Sequence, residues 1–248
     1  MRKTWILGFV SLLAVLVSAA AWADPYDAVL NRWSKTKDYA DRGDSLSITA
    51  TYYSAEFIEA TVQQEADRNL WTADELERYK YQFLKTLNME DSIPVKVAFD
   101  NRGAALHMAP FGEQIWLWVG GKRYKPKDYD PRLNMRVMDK IDGLVYFPRF
   151  DEKTGKDLLK GAKSVKLEIS GSISMTMRAK TADFIWDVAN DNPERLFAGK
   201  AGSKLEMDRL LKRLDKMNDE KKDLEKKLEA LQAEIQKIQA RMTELQKQ

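Results

Sequence analysis

The chain has 248 residues, with 41 Lys and Arg against 38 Asp and Glu, a single His and no Cys. That near balance lacks the clustered positive charge of a nucleic-acid-binding surface, so no nucleic-acid partner is expected. The absence of Cys removes disulfides, thiolate nucleophiles and Cys-based zinc sites together.

The N-terminal stretch "MRKTWILGFVSLLAVLVSAAAWAD" has Arg2 and Lys3, then an apolar run from Trp5 to Ala19, then Ala21-Trp22-Ala23. A basic head, an apolar middle and small residues three and one before the break predict a secretory signal peptide over 1–23, cleaved after Ala23. An uncleaved anchor is the competing reading, because about 18 apolar residues can span a bilayer. No Cys stands at the break to carry a lipid. The leader holds two basic residues and no acidic ones, so the remainder carries 41 − 2 = 39 basic against 38 acidic side chains. These features predict a bacterial periplasmic or secreted protein with no stable membrane insertion after cleavage.

Residues 24–190 mix aromatic, β-branched and turn-forming residues and read as one domain. "SLSITATYY" (45–53) alternates apolar and polar side chains, the signature of a half-buried strand. "SAEFIEATVQQEADRNL" (54–70) then changes to helical spacing. "TADELERYKYQFLKTL" (72–87) opens with Thr72 three residues before Glu75, a capping box, and carries an apolar stripe of Leu76, Tyr79, Phe83, Leu84 and Leu87. The two segments predict a helical hairpin over 55–88 that follows the first strand.

After Pro94 the two-residue period returns. Strands are predicted in 93–103, 114–124, 133–138, 144–148, 164–169, 172–179 and 183–188. Gly120-Gly121 marks a two-residue hairpin turn, and Ser170-Gly171 offers another. Short strands with turns every 8 to 12 residues point to an antiparallel β-sandwich of immunoglobulin-like type. The fold class expected is therefore α+β: a sandwich with an inserted helical hairpin, then a linker over 191–202 ("NDNPERLFAGKAG" begins one residue earlier), then a long C-terminal coiled-coil helix over 203–248.

No catalytic signature emerges. His107 has no Cys and no second His with which to build a metal site or a nucleophile pair. No GxSxG elbow precedes a helix. The acidic pairs Glu90-Asp91 and Asp151-Glu152 fall at turns, and adjacent carboxylates point apart rather than across a cleft. No catalytic residue, metal ligand or cofactor is assigned, and a non-enzymatic protein is expected.

Two surfaces are candidates for binding. In "QIWLWV", Ile115, Leu117 and Val119 face one way and Trp116 and Trp118 the other, so the strand is apolar on both faces. The expectation is that the helical hairpin covers the tryptophans. The competing reading makes Trp116 and Trp118, with Tyr124 and Tyr129, an open aromatic platform for carbohydrate or another ligand.

The second surface is the C-terminal helix. Its seam reads Met207, Leu210, Leu214, Met217, Lys221, Leu224, Leu228, Leu231, Ile235, Ile238, Met242 and Leu245. With Met207 at heptad position a and Leu210 at d, eleven of these twelve core positions are apolar over six heptads, and Lys221 is the exception. The g positions alternate in sign: Glu206, Arg213, Glu220, Lys227, Glu234 and Arg241. Ser203 and Glu206 suggest a capping box at the helix start. The partner expected is a second copy of this chain, or another coiled-coil protein of the envelope. The function expected is a binding or scaffolding head oligomerised through its tail.

Overall fold

The structure, a computed structural model, describes residues 24–246, so the expected leader at 1–23 lies outside the described residues. The described residues form an α+β protein built from two antiparallel sheets, four helices and short 3-10 turns.

A short helix α1 (Asp27–Trp33) leads directly into β1 (Ser34–Asp41), which turns back into β2 (Asp44–Tyr52). Sequence patterning misses β1 for a clear reason. It is an edge strand, "SKTKDYAD", with none of its residues buried, so no alternation marks it. After β2 come α2 (Ala55–Asn69) and α3 (Ala73–Leu87), the predicted hairpin. Ser54 caps α2 by accepting from the Phe57 amide at 3.0 Å. The Thr72 and Glu75 box is formed in both directions, at 3.4 and 2.8 Å.

The chain then re-enters the same sheet as β3 (Ser92–Arg102), which pairs with β2 on one side and with β7 (Lys140–Pro148) on the other. Direct pairing of β2 with β3 departs from the immunoglobulin order, in which the second and third strands lie in different sheets. The hairpin is an excursion between two neighbours of one sheet. β4 (Ile115–Val119), β5 (Lys122–Tyr124), β8 (Ser164–Ile169) and β9 (Ala182–Asp187) form the second sheet in the order β5-β4-β8-β9. The first sheet runs β1-β2-β3-β7-β6, with β6 only Asp128–Tyr129. Gly120 and Gly121, at φ +56 and +81, make the tight β4–β5 turn where a Cβ would be strained.

Two segments expected as strands are not. Residues 133–138 and 172–179 hold 3-10 turns, at Pro131–Asn134, Gly171–Ile173 and Met175–Met177. Four of their apolar side chains reach the core, Leu133, Val137, Ile173 and Met177, while Met135, Met138 and Met175 stay exposed. A short apolar run reports burial more faithfully than it reports backbone form.

The sheets share one core, from Leu46, Ile48 and Phe99 on the first to Ile115, Leu167 and Trp186 on the second. Trp33, Tyr52 and Trp186 lie in a row with tilted rings at 5.6 and 5.7 Å, and the Trp186 indole donates to the Trp33 carbonyl at 2.9 Å. A second core gathers Ile58, Val62, Tyr81, Leu84, Leu196 and Leu205 between α2, α3 and the start of α4 (Gly199–Gln246).

The region expected as a linker is part of that second core. Pro193–Phe197 forms a 3-10 turn with Leu196 fully buried. Helix α4 begins at Gly199, one turn before the expected start, so Ser203 is inside the helix and bonds back to the Gly199 carbonyl at 3.2 Å. Pro193, Gly199 and Gly202 are the residues that give the segment its linker-like composition. Here Gly202 allows close packing, since a Cβ there would sit 1.7 Å from the Phe197 carbonyl oxygen.

Candidate functional site

Trp116 and Trp118 lie side by side on the outer face of the second sheet, half-buried. The helical hairpin does not cover them, because its apolar stripe is used in the second core with Leu144 of the first sheet. Their cover comes from charged neighbours in register. Trp118 stands opposite Arg123 on β5 and Lys166 on β8. The Lys166 ammonium sits 5.0 Å from the Trp118 ring centre and the Arg123 guanidinium 5.5 Å from that of Trp116. Lys166 is fixed there by Glu168 at 2.9 Å and Asp183 at 3.3 Å. The Glu168 hydrogen bond keeps the Lys166 pKa above its ordinary value. The Trp118 indole N–H is buried with no hydrogen-bond partner among the described residues.

Tyr124 and Tyr129 do not join this face. Tyr124 pairs with Leu117, whose side chain points into the core, and so lies on the opposite side of the sheet from the tryptophans. Tyr129 belongs to the first sheet and packs edge-on against buried Phe111 at 5.7 Å. The four aromatics proposed from sequence as one platform are therefore two outward tryptophans and two tyrosines packed against the core.

Tyr129 does line a separate cleft of about 540 Å³ on the outer side of the first sheet, together with Tyr53, Tyr146, Lys96, Asp130 and Arg132. Four of its charges are paired: Lys96 with Asp142 at 2.7 Å and Arg132 with Asp130 at 2.6 Å. The Tyr146 hydroxyl donates to the Thr86 carbonyl at 3.0 Å. Burial pushes the Tyr53 hydroxyl up to about 12, and also raises Tyr146. Hydrogen bonding to Arg132 holds Asp130 below the ordinary carboxylate range. These three shifts all lead away from neutrality, where acid–base chemistry is most effective. The cleft joins strand ends from distant parts of the chain, and nothing local in the sequence marks it.

His107 is exposed in the loop before β4, with its amide bonded to the Ile173 carbonyl at 3.0 Å. Among the described residues no group of three His, Asp or Glu side chains is placed to hold a metal ion. No helix among them is long and apolar enough to cross a membrane.

The largest exposed apolar feature is α4. Beyond Asp208 the helix leaves the head, and its seam from Leu210 to Leu245 stands in solvent, with Leu210 49% and Leu224 65% exposed. The first turns are different. Ala201 and Leu205 are buried against the hairpin, and Asp208 accepts from the Tyr81 hydroxyl at 2.6 Å and from Lys85 at 3.1 Å. Lys204 lies 4.3 Å from the centre of the Tyr81 ring, and the Ala201 amide donates to Glu77 at 2.8 Å. In heptad terms Ala201 and Asp208 are at b and Leu205 is at f. The head thus grips the side of α4 opposite the a and d seam.

Comparison with known proteins adds little. No family model matches the chain, and no curated protein matches it. A crystal structure of a protein of unknown function from Burkholderia pseudomallei is similar over 64% of this chain and 81% of its own, at 10% identity and a TM-score of 0.37. That likeness is too loose to carry an assignment.

Proposed function

We propose that this chain is a non-enzymatic, exported protein of the bacterial envelope, a binding or scaffolding head held in an oligomer by its C-terminal helix. The observation that carries the reading is the seam of α4. Eleven apolar side chains in unbroken heptad phase lie along one helix face, and among the described residues none covers them from Leu210 onward. In proteins most helical stability comes from packing an apolar face rather than from intrinsic propensity. A two-stranded or higher coiled coil supplies that packing. Export rests on the leader-like composition of residues 1–23.

Sedimentation equilibrium of residues 24–248 tests the oligomer. The expected result is a multiple of the monomer mass at micromolar concentration, reduced to the monomer by Leu228→Asp with the head still folded. A monomer for the unaltered chain at high micromolar concentration defeats the reading.

The alternative, a carbohydrate- or ligand-binding module at Trp116 and Trp118, draws support from the unpartnered indole N–H of Trp118. It is weaker, because a stacking ligand must first displace Arg123 and Lys166 from the two rings.

A further inference from the structure

We propose that two copies of this chain pair their α4 helices antiparallel, with Lys221 of one opposite Leu224 of the other, holding the two heads at opposite ends of a rod. This inference rests on the self-association proposed above and concerns its geometry.

The first support is the polar core position. In a parallel, in-register pair, like positions face each other, so Lys221 meets Lys221 of the second copy inside the seam. Two ammonium groups in one core layer repel where water screens them poorly. In an antiparallel pair a faces d, and Lys221 meets Leu224. Its ammonium already leans outward along its own helix, 3.6 Å from Glu225.

The second support is the flanking charge. A parallel pair sets each g residue against the e residue five positions on. Glu220 then meets Glu225, and the other g residues meet only uncharged Leu211, Asn218 or glutamines. An antiparallel pair sets g against g. In the register with Lys221 opposite Leu224, Glu220 meets Lys227, Arg213 meets Glu234 and Glu206 meets Arg241. Each pair occurs twice by symmetry, and every one is attractive.

The third support comes from the tertiary structure. The head occupies the b and f side of the first turns through Ala201, Leu205 and Asp208, leaving Met207 and Leu210 turned away from it and exposed. The remaining contacts of the first turns, Lys204 over the Tyr81 ring and Lys200 with Asp74, lie N-terminal to Met207, so the seam from Met207 onward is open to a second helix. Facing core positions sum to 221 + 224 = 445, so Leu210 faces Ile235 and Met207 faces Ile238. Ser203 then lies level with residue 242 of the second copy, a span of 242 − 203 = 39 residues, which separates the two head junctions by about 60 Å at 1.5 Å per residue. A parallel pair would set the heads side by side. The antiparallel form is a two-headed spacer, fitted to bridge two like partners or two sites on one surface.

The Cys-free chain makes the test clean. Leu210→Cys and Ile235→Cys variants of residues 24–248 are oxidised separately and as a mixture. The proposal expects disulfide-linked dimers only in the mixture. Dimers from either variant alone indicate parallel pairing and overturn it while leaving self-association intact. A trimer also overturns it. A monomer in all samples, the unaltered chain included, overturns the self-association reading and this inference with it. If the Cys variants alone dissociate, small-angle scattering of the unaltered chain decides: two head masses about 60 Å apart support the proposal, and one merged head mass refutes it.

Discussion

In the head, Phe99, Phe147 and Trp186 are each at most 1% exposed, whereas Leu224, Leu228 and Leu231 of the stalk stand 56% to 65% exposed. Both regions are patterned for burial, the head at the strand period of 2 and the helical period of its hairpin, the stalk at 3.5. The difference lies in who supplies the covering surface. In the head, two sheets and a helical hairpin cover one another within a single chain. In the stalk, no other described segment of the chain lies over the seam, and its apolar side chains stay exposed. The first turns of α4 show the two regimes meeting in one helix, since Leu205 is 6% exposed and Met207, two residues on, is 58% exposed.

That contrast can be broken or sharpened by measurement. The largest effect expected is in the head. Trp186→Ala leaves a void beside Tyr52 and Phe184 and removes the donor to the Trp33 carbonyl. It should cost about 3–5 kcal/mol in urea denaturation. Leu228→Asp should leave the same head transition unmoved. If both substitutions shift it equally, head and stalk form one cooperative unit and the contrast fails.

Lys221→Leu comes next. It completes the apolar seam, and should raise the concentration-dependent melt of the stalk by about 1.5–3 kcal/mol per chain. Lys222→Leu, at the solvent-facing b position, should change it little. A larger gain from Lys222→Leu would put the heptad out of phase.

A smaller effect is expected where the former linker ties the hairpin. Asp191 accepts the Ala55 amide at the start of α2 at 2.8 Å, and burial raises its pKa above the usual carboxylate value. Asp191→Ala should cost about 1–2 kcal/mol through the lost cap. Asp191→Asn keeps an acceptor and no longer ionises. A raised folded pKa means the folded state binds the proton more tightly. The wild type therefore loses stability as pH rises from the ordinary carboxylate range through that raised value. The Asn variant should gain on wild type between pH 4 and pH 7 when urea midpoints are compared. An unchanged difference across that range would remove the burial argument.

The smallest effect concerns the junction. Asp208→Asn weakens the bonds from Tyr81 and Lys85, whose hydrogen bonds hold Asp208 below the usual carboxylate pKa. Amides of Ala201 to Asp208 should exchange faster in the variant while those of β3 do not change. Equal protection in variant and wild type would mean that packing of Ala201 and Leu205 alone holds the junction.

Much of this molecule is legible in its sequence because local physics states it. The Thr72 and Glu75 box, the Gly120-Gly121 turn, the alternation in β2 and β4 and the heptad phase of α4 each follow from spacing within a few turns of chain. What patterning misreads are the exposed edge strand β1, with no buried residue to mark it, and the 3-10 segments near Leu133 and Ile173, whose burial imitates a strand.

A head with two side-chain periods, a tail with one, and the interruption of the seam at Lys221 can all be read from residue order, because side-chain periodicity is a property of the backbone and needs no partner. Which surfaces meet was settled by long-range packing. It turned the hairpin toward Leu144 and the start of α4 and left Trp116 and Trp118 to Arg123 and Lys166. It also made a gripped junction of a Pro- and Gly-containing segment. Those outcomes depend on which apolar faces come together across long stretches of chain, and an apolar face carries no label naming the surface that will cover it.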